Sequence, residues 1–202
     1  HLLRTSGVIG DDIGIPVDKI LAVIAIIIFI FVNVRGSSDT GKVGNAITFT
    51  QLAIIGILIA AAIGAMMFTN PNWSDNYTDF IPSGVAGLAL AMGLTFIAFE
   101  GYEIISQAGD EIKNPRRNIP RAILISLGIV VSVYIVFTFV FIGGLNESVI
   151  GMPAWEFIGS FGELGIIEAA DQFLPYGALI VLAGGLVSTL SALNATTFAA
   201  SR

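Results

Sequence analysis

"FIAFEGYEIISQAGDEIKNPRRNIPRAI", residues Phe96–Ile123, is the stretch on which the reading of the chain turns. It follows a long apolar run, yet it sets Glu100 and Glu103 around Gly101 where that run is still passing through its solvent. On the insertion scale a carboxylate at the centre of a membrane helix costs about 2.5–3.5 kcal/mol, while a Leu or Ile returns about 0.3–0.6. The surrounding solvent therefore has to be identified before the two acids can be interpreted.

Composition identifies it. Hydrophobic residues make up 55% of the 202-residue chain and charged residues 12%, and the mean hydropathy is +0.88. Soluble domains carry about 25% charged residues, so half that amount does not coat a water-exposed globule of this size. The apolar residues also come in blocks long enough for a hydrocarbon core of about 30 Å. Five helical spans are predicted, at about 17–34, 46–68, 80–108, 119–145 and 173–200. Helix is expected because a single segment in lipid must satisfy its own backbone, and the alternating ten-residue segments of a membrane β-barrel do not occur. The fold class expected is an all-α membrane protein. The chain starts at His1, ends within a residue or two of the fifth span and carries no attached soluble domain, so it reads as a fragment of a longer protein.

Charge orients the spans. Arg35 and Lys42 lie in the loop 35–45, Lys113, Arg116, Arg117 and Arg121 in the loop 109–121, and Arg202 follows the fifth span. Alternating topology puts all three places on one side. The opposite loops hold acids and no Lys or Arg, so the positive-inside rule places loops 35–45 and 109–121 in the cytoplasm. The run "KNPRR" is read as a topology anchor between two spans rather than a nucleic-acid patch. In the long acidic loop, "PAWEFIGSFGELGIIEAADQF" reads either as a short interfacial helix or as plain loop. Asn76-Tyr-Thr and Asn146-Glu-Ser match glycosylation acceptors.

Small residues recur four apart at Gly56, Ala60 and Gly64, at Gly87, Ala91 and Thr95, and at Gly184, Ser188 and Ala192. This spacing lets helices approach closely in lipid and predicts a compact bundle. Two readings of the glutamates stand. Either they sit near the interface and flank a shorter helix, or the helix breaks at Gly101 inside the bundle. In the second case free carbonyls at the end of the first half-helix attract a cation such as a substrate ammonium group. From Phe80, Glu100 is about 30 Å along a continuous helix, which is compatible with both.

The stretch resembles the sixth transmembrane helix and following loop of the amino acid–polyamine–organocation superfamily of permeases. Ala98, Phe99, Gly101, Tyr102 and Glu103 match the first part of that pattern. Glu111, Lys113, Asn114, Pro115, Arg117, Ile119, Pro120, Ala122 and Ile123 match the second. "VNVRGSSDTGKVGNAIT" is similar to the family's loop between helices four and five, and "SALNATTFAASR" to the end of helix eight. The resemblance covers nearly the whole chain as helices four to eight. It implies a five-plus-five inverted-repeat bundle with a discontinuous sixth helix. It also implies secondary transport of amino acids by alternating access, with substrate held at the midplane by backbone around Ala98, Phe99, Glu100 and Gly101. Ile97 and Phe99 shape the side-chain pocket, and Glu103 is linked to proton coupling. Gln51 falls where proton-coupled members often carry a lysine, which puts lysine-based coupling in doubt. Ser188 and Ser191 are candidates for a cation site, with polar packing an equal explanation.

The implied partners are an amino acid, a proton or sodium as coupling ion, membrane lipid and the missing helices of the full-length chain. No cofactor, metal or nucleic acid is implied, and the plasma membrane is the expected location. A polyamine or cationic amine exchanger of the same fold and an ion channel with a glutamate-lined path are the alternatives. An intramembrane enzyme using Glu100 and Glu103 is disfavoured, because the chain has no Cys, its single His is His1, and no Asp pair falls within a span.

Overall fold

The computed structural model describes residues 17–34, 37–99, 101, 103–107, 109 and 112–200. Among these the regular structure is entirely helical. In chain order the helices are α1 (Val17–Val34), α2 (Ser37–Phe68), α3 (Gly84–Ala98), α4 (Glu103–Gln107), α5 (Pro115–Gly144), α6 (Glu147–Ile150), α7 (Ala154–Ser160), α8 (Gly165–Phe173) and α9 (Gly177–Ala200), with short 3-10 turns at Trp73–Tyr77 and Gly162–Leu164. Three of them, in α2, α5 and α9, are long and apolar enough to cross a membrane, and Lys19–Phe31 and Gly84–Phe96 are shorter apolar helices. Val85, Leu90 and Phe96 on α3 are 80%, 67% and 73% exposed. Water does not tolerate such a surface, whereas lipid or neighbouring helices do.

Several boundaries differ from the predicted spans, each for a local reason. The second helix begins at Ser37, not at 46, so most of the predicted basic loop 35–45 is helical. The fourth begins at Pro115 rather than 119. Proline suits the first helical position, where its missing N–H costs nothing. The segment 80–108 is not one helix but α3 and α4. At 15 residues α3 extends about 22 Å, short of the hydrocarbon thickness. The fifth span starts at Gly177 rather than 173, because Pro175 and Tyr176, at φ 61°, turn the chain between α8 and α9.

Of the two readings of the acidic loop, helix and plain loop, the helical one matches: the loop folds into α6, α7 and α8, and α8 buries Ile167, Ala169 and Ala170 against the bundle. Gly177 allows the turn to close, since a Cβ there would lie 2.3 Å from the carbonyl oxygen of Ala170.

The core sits toward the acidic end of the bundle, around Leu58, Ala62, Met66, Phe141, Leu145, Phe157 and Ala170. Here α2 and α5 run parallel, and Gly144 brings the backbones together: a Cβ there would be 3.3 Å from the Ala62 carbonyl oxygen. The end of α5 leaves carbonyls with no helical partner. Two asparagines of the α2–α3 connection supply donors. Nδ2 of Asn70 donates to Gly143 O at 3.0 Å and Leu145 O at 2.7 Å. Nδ2 of Asn76 donates to Ile142 O at 2.7 Å and Leu145 O at 2.8 Å. The Tyr77 hydroxyl donates to Phe139 O, and its ring stacks on Phe139 with centroids 4.8 Å apart.

The side chains of both glycosylation matches are engaged in hydrogen bonds. Asn76 is 8% exposed and its amide is committed to α5. Asn146 accepts from Ser148 N and donates to Thr69 O at 2.9 Å.

The small-residue stripes are used unevenly. α9 packs antiparallel along α2 in one register: Gly44 meets Asn194, Gln51 meets Ser188, and Gly184 meets Ile54, whose Cγ2 would lie 3.0 Å from an added Cβ. By contrast, a Cβ at Gly56 or Gly64 meets nothing within 4 Å.

Candidate functional site

The region around Gly101 is built by the end of one helix and the start of another. The regular hydrogen-bond pattern of α3 stops at Ala98, and Phe99 N donates to Phe96 O at 3.1 Å, a tightened final turn. Gly101 has φ 102°, a conformation that side chains disfavour and glycine accepts. α4 begins two residues later, and Ile104 N donates back to Gly101 O at 3.2 Å. Phe99 and Gly101, the described residues between Ala98 and Glu103, lie outside both helices.

All the predicted residues but Glu100 fall among the described ones. Ile97 and Ala98 are in the last turn of α3. Phe99 is half-buried, with its ring 5.5 Å from that of Tyr134 on α5. Glu100 lies outside the described residues. Gly101 occupies the turn, and Glu103 opens α4, its side chain being outside what is described. α4 packs against α5 and α9. Gln51 and Ser188 are brought together, with Nε2 donating to Oγ at 3.3 Å. Ser191 is half-buried on α9, three residues beyond Ser188.

Three features escaped the sequence reading. Tyr134 stands against Phe99, and its signal, an aromatic in an apolar helix, is indistinguishable from packing. Asn194 is 6% exposed, and its Oδ1 has no hydrogen-bond partner. A polar residue inside "SALNATTF" was the available sign. The third is a cavity of about 580 Å³ between α3 and α5, reached by Asp79 and Trp155 from the acidic end.

Residues 7–202 match the family model described as amino acid permease. The chain is 34% identical over 172 residues to an uncharacterised protein of Methanocaldococcus jannaschii, covering 84% of this chain and 36% of that one. It is 30% identical over 202 residues to the methylthioribose transporter of Bacillus subtilis, covering 98% of this chain and 41% of that one. It is 35% identical over 88 residues to cationic amino acid transporter 4 of Homo sapiens, covering 44% of this chain and 14% of that one. No solved structure matches. The chain thus spans 36% and 41% of the length of the first two relatives. It belongs to the amino acid permease family and is an integral membrane protein.

Proposed function

We propose that the permease containing this chain is a secondary transporter of amino acids, working by alternating access around a fixed midplane site. The observation that carries this reading is the interruption of an apolar helix between Ala98 and Glu103, with Gly101 at φ 102°. Backbone that leaves the helix in a membrane is tolerated where it lines a cavity or a ligand. The carbonyls at the end of α3 carry the negative end of the helix dipole and accept from the substrate ammonium group. Phe99, with Ile97 and Glu100, borders the substrate. Glu103, Gln51, Ser188 and Ser191 form the coupling region beside it, taking a proton or sodium. The remaining helices complete a five-plus-five inverted repeat, and the basic ends of the helices face the cytoplasm, with the protein in the plasma membrane.

A second substrate reading comes from the Bacillus subtilis relative, whose name gives methylthioribose, a neutral thio-sugar. The same backbone carbonyls accept from hydroxyl groups, so the competing substrate is a polyol without an ammonium group.

Uptake of labelled amino acids and of methylthioribose into proteoliposomes holding the full-length protein, with and without a pH gradient, tests both readings. Saturable amino acid uptake is expected, and proton-driven accumulation is expected to disappear in Glu103→Gln. Uptake of methylthioribose alone overturns the amino acid reading. Unchanged pH dependence in Glu103→Gln removes that residue from coupling.

A further inference from the structure

The basic end of α5 concentrates positive charge. Lys113, Arg116, Arg117 and Arg121 fall within nine positions, and residues 112–146 hold no acid, although Asp110 and Glu111 precede them. All four basic residues are exposed. Arg117 and Arg121 are about one helical turn apart and so share a face.

Continuing that face in steps of three and four leads to Ile125, Gly128, Ser132 and Val136, each of them exposed. Ile125 is 63% exposed, Val136 45%, and Ile129 beside them 54%. An added Cβ on Gly128 meets nothing within 4 Å. Ser132 donates its hydroxyl proton to Gly128 O at 2.8 Å. The face therefore carries a shallow notch at Gly128 and Ser132, bordered by larger apolar side chains. From Ile125 to Val136 it runs about 16 Å, close to half of a hydrocarbon core of about 30 Å. Val131, Tyr134 and Ile135, which line the cavity toward α3, lie on the adjoining face.

A charged end joined to an apolar groove one leaflet long matches a ligand of two parts. Guanidinium groups bind phosphate oxygens through paired N–H donors, and basic residues beside a span attract anionic headgroups. We propose that this face of α5 binds an anionic phospholipid. Arg117 and Arg121 hold its phosphate, one acyl chain lies over Gly128 and Ser132, and Lys113 and Arg116 add attraction at longer range. The chain spans 41% of the Bacillus subtilis relative, so helices outside it compete for exposed faces. Charge decides against them here, since an apolar helix laid on this face brings no counter-charge to the two arginines. The proposal requires that α5 span a membrane and does not rest on what the permease carries.

Equilibrium binding to the purified full-length protein in detergent tests it, with phosphatidylglycerol and phosphatidylcholine bearing the same fluorescent tail as probes. Phosphatidylglycerol is expected to bind about tenfold more tightly, and the preference is expected to shrink with added salt. The double variant Arg117→Gln/Arg121→Gln is expected to bind the two lipids equally, while Arg117→Lys/Arg121→Lys keeps part of the preference. Gly128→Phe is expected to fill the notch and weaken both lipids alike. Glycerol 3-phosphate, the anion without chains, is expected not to displace the probe at concentrations where unlabelled phosphatidylglycerol does. Equal binding of the two lipids to the wild type overturns the proposal, and so does a preference unaltered in the Gln pair. Affinity unchanged in Gly128→Phe overturns it as well. Displacement by glycerol 3-phosphate as effective as by phosphatidylglycerol reduces the site to an anion site, and binding of neither lipid means that another helix covers the face; both overturn it. None of these results bears on amino acid uptake, so the two readings fail separately.

Discussion

Gln51 on α2 donates a hydrogen bond from Nε2 to Oγ of Ser188 on α9, 3.3 Å away and 137 positions along the chain. It is a neutral link between the two helices that pack most extensively on one another, one turn from the Gly184–Ile54 contact. Removing either partner is expected to lower stability by about 0.5–1.5 kcal/mol. Because they form one interaction, Gln51→Ala and Ser188→Ala are expected to be less than additive. Thermal unfolding of the single and double variants in detergent measures this, and strict additivity excludes the link.

The asparagine caps of α5 make a second prediction. Asn70→Ala leaves the carbonyls of Gly143 and Leu145 short of a donor in a buried setting. The expected cost is about 1–3 kcal/mol, seen as a lower midpoint of thermal unfolding. Asn76→Ala is expected to behave similarly, and expression in a glycosylating host is expected to add no glycan at Asn76.

Gly101→Ala probes the helix interruption. A Cβ there meets no atom within 4 Å, so the strain comes from φ 102° alone. Such strain is of the order of 1–3 kcal/mol. The full-length variant is expected to fold and to lose most of its uptake. Uptake at the wild-type rate excludes a requirement for this backbone conformation.

Two glycines that look alike in sequence are expected to differ sharply. Gly177→Ala forces a Cβ to 2.3 Å from Ala170 O and is expected to destabilise by about 1–3 kcal/mol. Gly56→Ala meets nothing within 4 Å and is expected to leave the unfolding midpoint unchanged or slightly raised.

Tyr77 supplies a pH dependence. Burial raises its phenol above the ordinary value of 10.0, and the Gly143 backbone offsets part of the rise. The folded state then holds the phenolic proton more tightly than the unfolded chain. That stabilisation is complete below about pH 10 and is lost as pH rises through the folded value. Tyr77→Phe is expected to flatten the decline in thermal stability at alkaline pH.

The long helices were legible in sequence because lipid imposes a length and a polarity that composition reveals directly. At Gly101 the residues offered two readings, a break inside the bundle or a shorter helix flanked by acids at the interface, because a glycine between two acids suits either. The boundaries at Ser37 and Gly177 were not legible. The first depends on polar residues extending a helix beyond the apolar block, the second on α8 folding back onto α9. Gln51 and Ser188 were each identifiable as polar residues in apolar helices, but their meeting depends on the register of α2 against α9. The capping roles of Asn70 and Asn76 were not legible, since an asparagine beside a threonine or a turn looks the same whether its amide faces solvent or a helix end. Tyr134 and the cavity required the separation of α3 from α5, which nothing in either helix alone specifies.

Among the described residues, α3 is the one helix longer than ten residues with no broad face packed on another element. It is a rod held at its tips, by the Ile81–Gly84 turn at one end and the Gly101 joint at the other. A swing of that rod about the joint tears no core, whereas displacing α5 breaks the four bonds from Asn70 and Asn76. Within this chain the contacts that resist rocking of α3 therefore lie at its ends rather than along its shaft, and, on the transport reading proposed above, substitutions at Gly101 are expected to change the uptake rate more than those on the exposed length of the helix.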